Sequence, residues 1–238
     1  YCIIVIIYSK GDLNLFKYQI TPAFSTPIVS VNIGQIDVMT LAWVKNLTYP
    51  TQGVACTGND DHLPINERGF DIINAPPLTS LKKKIKEAVD YYAYTILDVD
   101  TSTNFAFTSS WINRLEKHED IPKHIHKNSI ISGVYYIDVT PNSAPITLHK
   151  NITHLNTWPA STTPASAGVN WNQFNTDAYT FNPVNGLAIL FPSHLEHSVA
   201  ASNEDTYRYG LAFNMFATGT LIGDAGPASR CTITGVTL

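Results

Sequence analysis

The stretch that decides the fold is "KHIHKNSIISGVYYIDV", Lys123 to Val139. It opens on two histidines two positions apart. It continues as a run of β-branched and aromatic residues, the types that fit a pleated, half-buried surface. Read as one strand, it sends His124 and His126 to the same face and Ile125 to the other, because side chains alternate across a strand. Two imidazoles so placed can share a metal ion. They can equally be surface residues, and the pair alone does not choose.

Working outward, period two persists. "TNFAFTSSWINRL" (103–115), "APITLHK" (144–150), "AYTFNP" (178–183), "GLAILFP" (186–192), "EHSVAAS" (196–202) and "RYGLAFNMF" (208–216) all read as strands. Turn signals separate them, among them Pro141-Asn142, the "NPVNG" run from Asn182 to Gly186, and Asn203-Glu204-Asp205. Many short strands at regular spacing imply a sandwich or barrel, here with its core over 103–217. The 151–176 connection is long for a loop, which suits a lid, and Trp158 or Trp171 is placed to stack on a flat or sugar-like substrate or to pack beneath that loop.

Upstream, Leu81, Ile85, Val89, Tyr92 and Ile96 recur at helical spacing, with Thr79 or Ser80 as cap and Lys82, Lys83, Lys84 and Lys86 as the solvated face. A strand over 24–33, a short helix within 35–47 and a Pro/Gly-rich loop over 50–77 complete the reading. No linker or repeat interrupts the chain, so 1–238 reads as one domain, with residues 1–20 as an extension or an added strand.

The composition limits the function classes. Of 238 residues 44% are hydrophobic, enough for a full core. Only 14% are charged, the formal net charge is −4, and "KKKIK" at Lys82–Lys86 is the one basic block, so a nucleic-acid partner lacks its electrostatic footprint. Cys2, Cys56 and Cys231 are three and widely spaced, which speaks against a disulfide framework and for a reducing, cytoplasmic setting. The apolar run in "YCIIVIIYSKGD" is too short to span a bilayer. A small-molecule or protein substrate and either oligomeric state remain open.

What lifts the histidine pair above chance is its company. "LFPSHLEHSV" offers His194 and His197; His197 sits inside the apparent strand, His194 beside Pro192 and Ser193, so His197 is favoured as a third ligand. Eleven residues on, Arg208 opens a strand and, if turned inward, presents a planar fork that matches a carboxylate. Nitrogen ligands with open positions suit Fe(II), and zinc less specifically. A ligating imidazole also needs a partner for its other nitrogen, and Glu116, Glu119, Asp120 and Glu196 are near in sequence.

"SWINRLEKHEDIPKHIHKNSIISGVYYIDV" (110–139), "LAILFPSHLEHSV" (187–199) and "RYGLAFN" (208–214) together resemble the 2-oxoglutarate/Fe(II) oxygenase family of marine bacteria and their phages. The likeness is strong from Ser110 to Phe216 and weaker from Phe24 to Asp98. It implies a double-stranded β-helix (a jelly-roll, cupin-like barrel) with one or two flanking helices, Fe(II) in its mouth and 2-oxoglutarate as cosubstrate of a hydroxylase in the cytoplasm, the host's if phage-encoded. Carried over, His124 and His197 are ligands, Arg208 meets the far carboxylate of 2-oxoglutarate, and Tyr135 or Tyr136 adds a hydroxyl. Three departures stand out: His126 where the wider superfamily has Asp or Glu, Lys127 where the family has proline, and Gly210 where its "R-x-S" has serine. The third ligand is then His126 or water; in another register His126 is the first ligand and Asn128 replaces the carboxylate. A cupin-like metal enzyme without 2-oxoglutarate and a non-catalytic binding barrel are the alternatives.

Overall fold

The computed structural model describes residues 25–49, 54–55, 70–150, 176–222 and 230–233. The calls for an N-terminal extension over 1–20 and for a lid carrying Trp158 or Trp171 lie outside them.

Eight strands form the barrel: β3 (Thr103–Leu115), β4 (Ile121–His124), β5 (Ile131–Asp138), β6 (Ile146–His149), β7 (Ala178–Phe181), β8 (Leu187–Pro192), β9 (Glu196–Val199) and β10 (Arg208–Ile222). The chain switches sheet at nearly every step. Strands β8-β5-β10-β3 are neighbours in one sheet and β4-β9-β6-β7 in the other, all antiparallel. That alternation makes a double-stranded β-helix, a jelly roll. The larger sheet is extended by β1 (Val29–Asn32) beside β8, β2 (Val54–Ala55) beside β3, and β11 (Arg230–Ile233) beside β10.

The larger sheet has two unlike faces. On β10 the odd positions Tyr209, Leu211, Phe213 and Met215 are buried in an apolar cluster with Ile131, Tyr135 and Ile137 of β5. The helices cover this face. Helix α1 (Val38–Lys45) is capped by Asp37, whose Oδ1 accepts from the Thr40 amide at 2.9 Å. Helix α2 (Thr79–Asp90) lays Leu81, Ile85 and Val89 into the same cluster, each at most 3% exposed. Burying one such side chain stabilises by about 1.5–3 kcal/mol, so this face supplies much of the fold's stability. The expected stripe fails at Ile96. Residues Tyr91–Ile96 form a π-helical turn, which rotates Ala93 inward and leaves Ile96 41% exposed.

The even positions Arg208, Gly210, Ala212 and Asn214 face the interior between the sheets, with Ser132, Val134 and Tyr136 of β5. A bulge decides which residues of β3 face that interior. Its register against β10 shifts at Asn214/Met215, which pair with Ser109 and Phe107 and leave Thr108 as the extra residue. Phe105 and Phe107 face the helices, and past the bulge the phase inverts, so that Trp111 and Asn113 line the interior. A second apolar cluster of Leu115, Val134, Tyr136, Ile146, Leu148, Ile189, Phe191 and Val199 closes the space between the sheets.

One expectation is corrected here. His124 and His126 do not share a strand. His124 ends β4 in the smaller sheet, and His126 lies in the 125–130 connection that crosses to β5 in the larger one. Asn128 turns that crossing with φ 60°. A period-two argument does not apply across a change of sheet.

Candidate functional site

Three histidines nonetheless converge. Strand β4 pairs with β9 so that His124 lies directly opposite His197, on one face of the smaller sheet. The connection brings His126 over them from the other side, held by its amide donating to the Ser193 carbonyl at 3.0 Å. One ligating nitrogen from each ring can be chosen so that all three lie within 4.8 Å of one another. His194, the rival to His197, is exposed on the turn after β8, and Asn128 is exposed as well.

Hydrogen bonds fix which nitrogens those are. A carbonyl only accepts, so the Nδ1 atom of His124, 2.8 Å from the Pro122 carbonyl, carries the proton. His197 Nδ1 likewise donates to the Leu195 carbonyl at 2.9 Å. His126 Nδ1 lies 2.5 Å from Asn214 Oδ1 and 3.0 Å from Ser132 Oγ. In each ring the proton sits on Nδ1 and the lone pair on Nε2. The His126 Nε2 is buried with no partner among the described residues. A buried acceptor left bare costs about 1–3 kcal/mol, so it is built to meet something. Burial holds both rings neutral, as ligation requires: it pushes the His197 pKa down to about 3 and lowers that of His126.

The partners of the outer nitrogens are not the carboxylates anticipated. Glu116 pairs with Arg114 at 3.0 Å, Glu196 lies 3.8 Å from Lys123, and Glu119 accepts from the Glu116 amide at 2.8 Å. Two backbone carbonyls and the Asn214 amide take their place. Asn214 and Ser132 escaped the sequence reading, although Asn214 has the strand parity of Arg208 and Ser132 that of Tyr136.

Beside the histidines opens a cavity of about 460 Å³, lined among others by Trp111, Asn113, His124, His126, His197 and Arg208. Arg208 is 3% exposed, donates from Nε to the Ala144 carbonyl at 3.1 Å, and holds its guanidinium 5.1 Å from the centre of the Tyr136 ring. No carboxylate pairs with it among the described residues. Burial lowers its pKa, with the nearby Tyr136 opposing the change. The Tyr136 hydroxyl is buried close by, but in no hydrogen-bond geometry. Burial raises its pKa and the Arg208 charge pulls it back in part. A buried cation without a counter-ion beside that phenol can receive an anion. Tyr135 has no part in it. It points to the helix-covered face, where its hydroxyl donates to the Gly34 carbonyl at 2.8 Å.

The whole arrangement falls within residues 109–214, which match the model of a family described as "Putative 2OG-Fe(II) oxygenase". That stretch runs from the bulge of β3 to Asn214 of β10 and carries all three histidines and Arg208. No curated protein matches the chain. Among solved structures it is similar to an oxidoreductase of the 2OG-Fe(II) oxygenase family from Burkholderia pseudomallei (14% identity, TM-score 0.42, 60% of this chain and 57% of that one). It is also similar to a prolyl hydroxylase from Trichoplax adhaerens solved with a hypoxia inducible factor fragment (13%, 0.49, 79% and 83%). A third is HygX from Streptomyces hygroscopicus with nickel and 2-oxoglutarate bound (11%, 0.45, 80% and 81%). No helix among the described residues is long and apolar enough to cross a membrane.

Proposed function

We propose that this chain, whose barrel segment matches the 2OG-Fe(II) oxygenase family, is a 2-oxoglutarate-dependent hydroxylase that binds Fe(II) through Nε2 of His124, His126 and His197. The observation that carries the reading is the pairing of two unmet demands in one cavity: a bare imidazole nitrogen at the histidine cluster and an uncompensated guanidinium at Arg208. A molecule with a metal-binding end and a carboxylate at the other end answers both, and 2-oxoglutarate is such a molecule. Bound iron with 2-oxoglutarate would supply dioxygen activation coupled to oxidative decarboxylation of the oxo-acid, and so the oxidant for a substrate C–H bond.

The protein's own residues supply the rest. Arg208 holds the C5 carboxylate through a charge-assisted fork, and the Tyr136 hydroxyl donates to the same oxygens. Their burial keeps water from competing for that carboxylate. Backbone carbonyls and Asn214 hold the three imidazoles in the one tautomer that presents Nε2 to the metal. Trp111 and Asn113 line the cavity and are placed to position the substrate.

His126 in place of the superfamily carboxylate favours a second reading, a cupin-like metal enzyme that uses no oxo-acid. One titration separates the two. In the anaerobic Fe(II) protein, 2-oxoglutarate should bind and develop a metal-to-ligand absorbance. Arg208→Ala should weaken that binding by about tenfold to a few hundredfold, the worth of roughly 1.5–3 kcal/mol, with Fe(II) content unchanged. Absence of binding to the wild-type protein at millimolar 2-oxoglutarate leaves the second reading.

A further inference from the structure

We infer that Asn214 is the positioning residue that makes His126 a metal ligand, by accepting its Nδ1 proton and so locking the tautomer with Nε2 free. This rests on the metal-site reading above and concerns how that site tolerates histidine where a carboxylate would otherwise stand.

A neutral imidazole has two tautomers, and only one leaves the lone pair on Nε2. For His124 and His197 the choice is made by backbone carbonyls, which can only accept. His126 has no such carbonyl. Its Nδ1 meets Asn214 Oδ1 at 2.5 Å and Ser132 Oγ at 3.0 Å. A hydroxyl is indifferent, because it can donate as well as accept. Asn214 therefore decides, and it can decide either way. With Oδ1 toward His126 the ring keeps its proton on Nδ1. With the amide turned over, Nδ2 would donate to Nδ1, the proton would move to Nε2, and the third ligand would be lost.

The surroundings satisfy the first state on both sides of the amide. Asn214 Nδ2 donates to Ser109 Oγ at 2.8 Å, on the far side of the amide. Ser132 lies 2.7 Å from Asn214 Oδ1 and 2.8 Å from Ser193 Oγ, so the amide oxygen is met from two sides and the serines continue the chain. Ser193 also accepts the His126 amide on its carbonyl, which ties the connection to the same network. Asn214 and Ser132 are each at most 5% exposed. Ser109 reaches Asn214 because the Thr108 bulge inverts the phase of β3.

The test uses Co(II) or Zn(II) binding to the full chain and the 15N shifts of the His126 ring in the metal-free form, where no ligand on Nε2 imposes the tautomer. Asn214→Leu removes the acceptor and should weaken metal binding by roughly 10–100-fold, with the His126 ring no longer held as the Nδ1–H form. Asn214→Asp keeps the shape and only accepts, so it cannot turn over. It should bind metal at least as tightly as the wild type and retain the Nδ1–H signature. This pair guards against a variant that merely misfolds, since both change the same contact with Ser109. Asn214→Leu with wild-type affinity and an unchanged His126 tautomer overturns the inference and leaves the metal site intact. Equal losses in Asn214→Leu and Asn214→Asp also overturn it, because a purely structural role would not distinguish acceptor from hydrocarbon. A wild-type chain that binds neither metal overturns the metal-site reading itself.

Discussion

The two faces of the larger sheet are made by the same strands and do opposite work. Along β10, Tyr209, Leu211, Phe213 and Met215 pack under the helices, while Arg208, Gly210, Ala212 and Asn214 face the cavity. Along β5, Ile131, Tyr135 and Ile137 alternate in the same way with Ser132, Val134 and Tyr136. One face gains free energy by removing hydrocarbon from water. The other loses some by burying a guanidinium, a phenol and an imidazole nitrogen that the protein alone does not satisfy. The first face holds the fold so that the second can stay unsatisfied until a ligand arrives.

The contrast breaks if the faces prove interchangeable. The largest effect should come from the apolar face. Phe213 is fully buried, and Phe213→Ala should cost about 3–5 kcal/mol in urea denaturation. Metal bound per folded chain should not change. A loss of metal affinity in the folded variant would mean that the two faces are coupled.

The cavity face should show itself next, through acid. His197 ionises at about 3 in the folded protein against 6.5 unperturbed. Between those values the unfolded chain binds a proton that the folded chain refuses, so falling pH favours unfolding. The metal-free protein should lose stability from about pH 6.5 downward, on the order of 3 kcal/mol by pH 4. His197→Gln should flatten that part of the profile, and an unchanged slope would sink the assignment.

Arg208 sharpens the comparison further. A buried charge without a counter-ion opposes folding, so Arg208→Met should raise the stability of the ligand-free protein by about 1–2 kcal/mol while binding of 2-oxoglutarate is weakened. Destabilisation instead would mean that Arg208 serves the fold. The smallest effect belongs to Gly210. A Cβ there would meet Val134 Cγ2 at 3.4 Å and Arg208 Nη1 at 3.6 Å, so a serine fits without displacing backbone. Gly210→Ser should tighten 2-oxoglutarate binding severalfold, by about 0.5–1.5 kcal/mol for one added hydrogen bond, measured in the same anaerobic titration.

Gly133 marks a very close approach between β5 and β10 on the helix-covered face. A Cβ on it would lie 2.3 Å from the Phe213 ring and 2.8 Å from the Ile189 carbonyl. The glycine of "SGVYY" is there so that Phe213 can lie across β5. The sequence offers the glycine, but its reason lies in a strand eighty residues away.

What the sequence determined by itself was local. Period two marked seven of the eight barrel strands and helical spacing marked α2. These follow from periodicity, which needs only a few neighbouring residues; the cap expected at Thr79 or Ser80 did not form, since α2 starts at Thr79 after Leu78 with no side-chain cap bond. That His197 and not His194 joins the histidine cluster was legible for the same reason, since one lies within a strand and the other on a turn. Tertiary structure decided what depends on partners distant in the chain. It split "KHIHKNSIISGVYYIDV" between two sheets, because β4 found β9 and β5 found β8 and β10. It turned Trp111 and Asn113 inward through a bulge that shows only against β10. It chose Tyr136 over Tyr135, since two adjacent tyrosines on a strand look alike until one face has helices on it and the other has Arg208. And it set Asn214 against His126, 88 residues apart, where a hydrogen bond fixes a proton that no spacing in the sequence reveals.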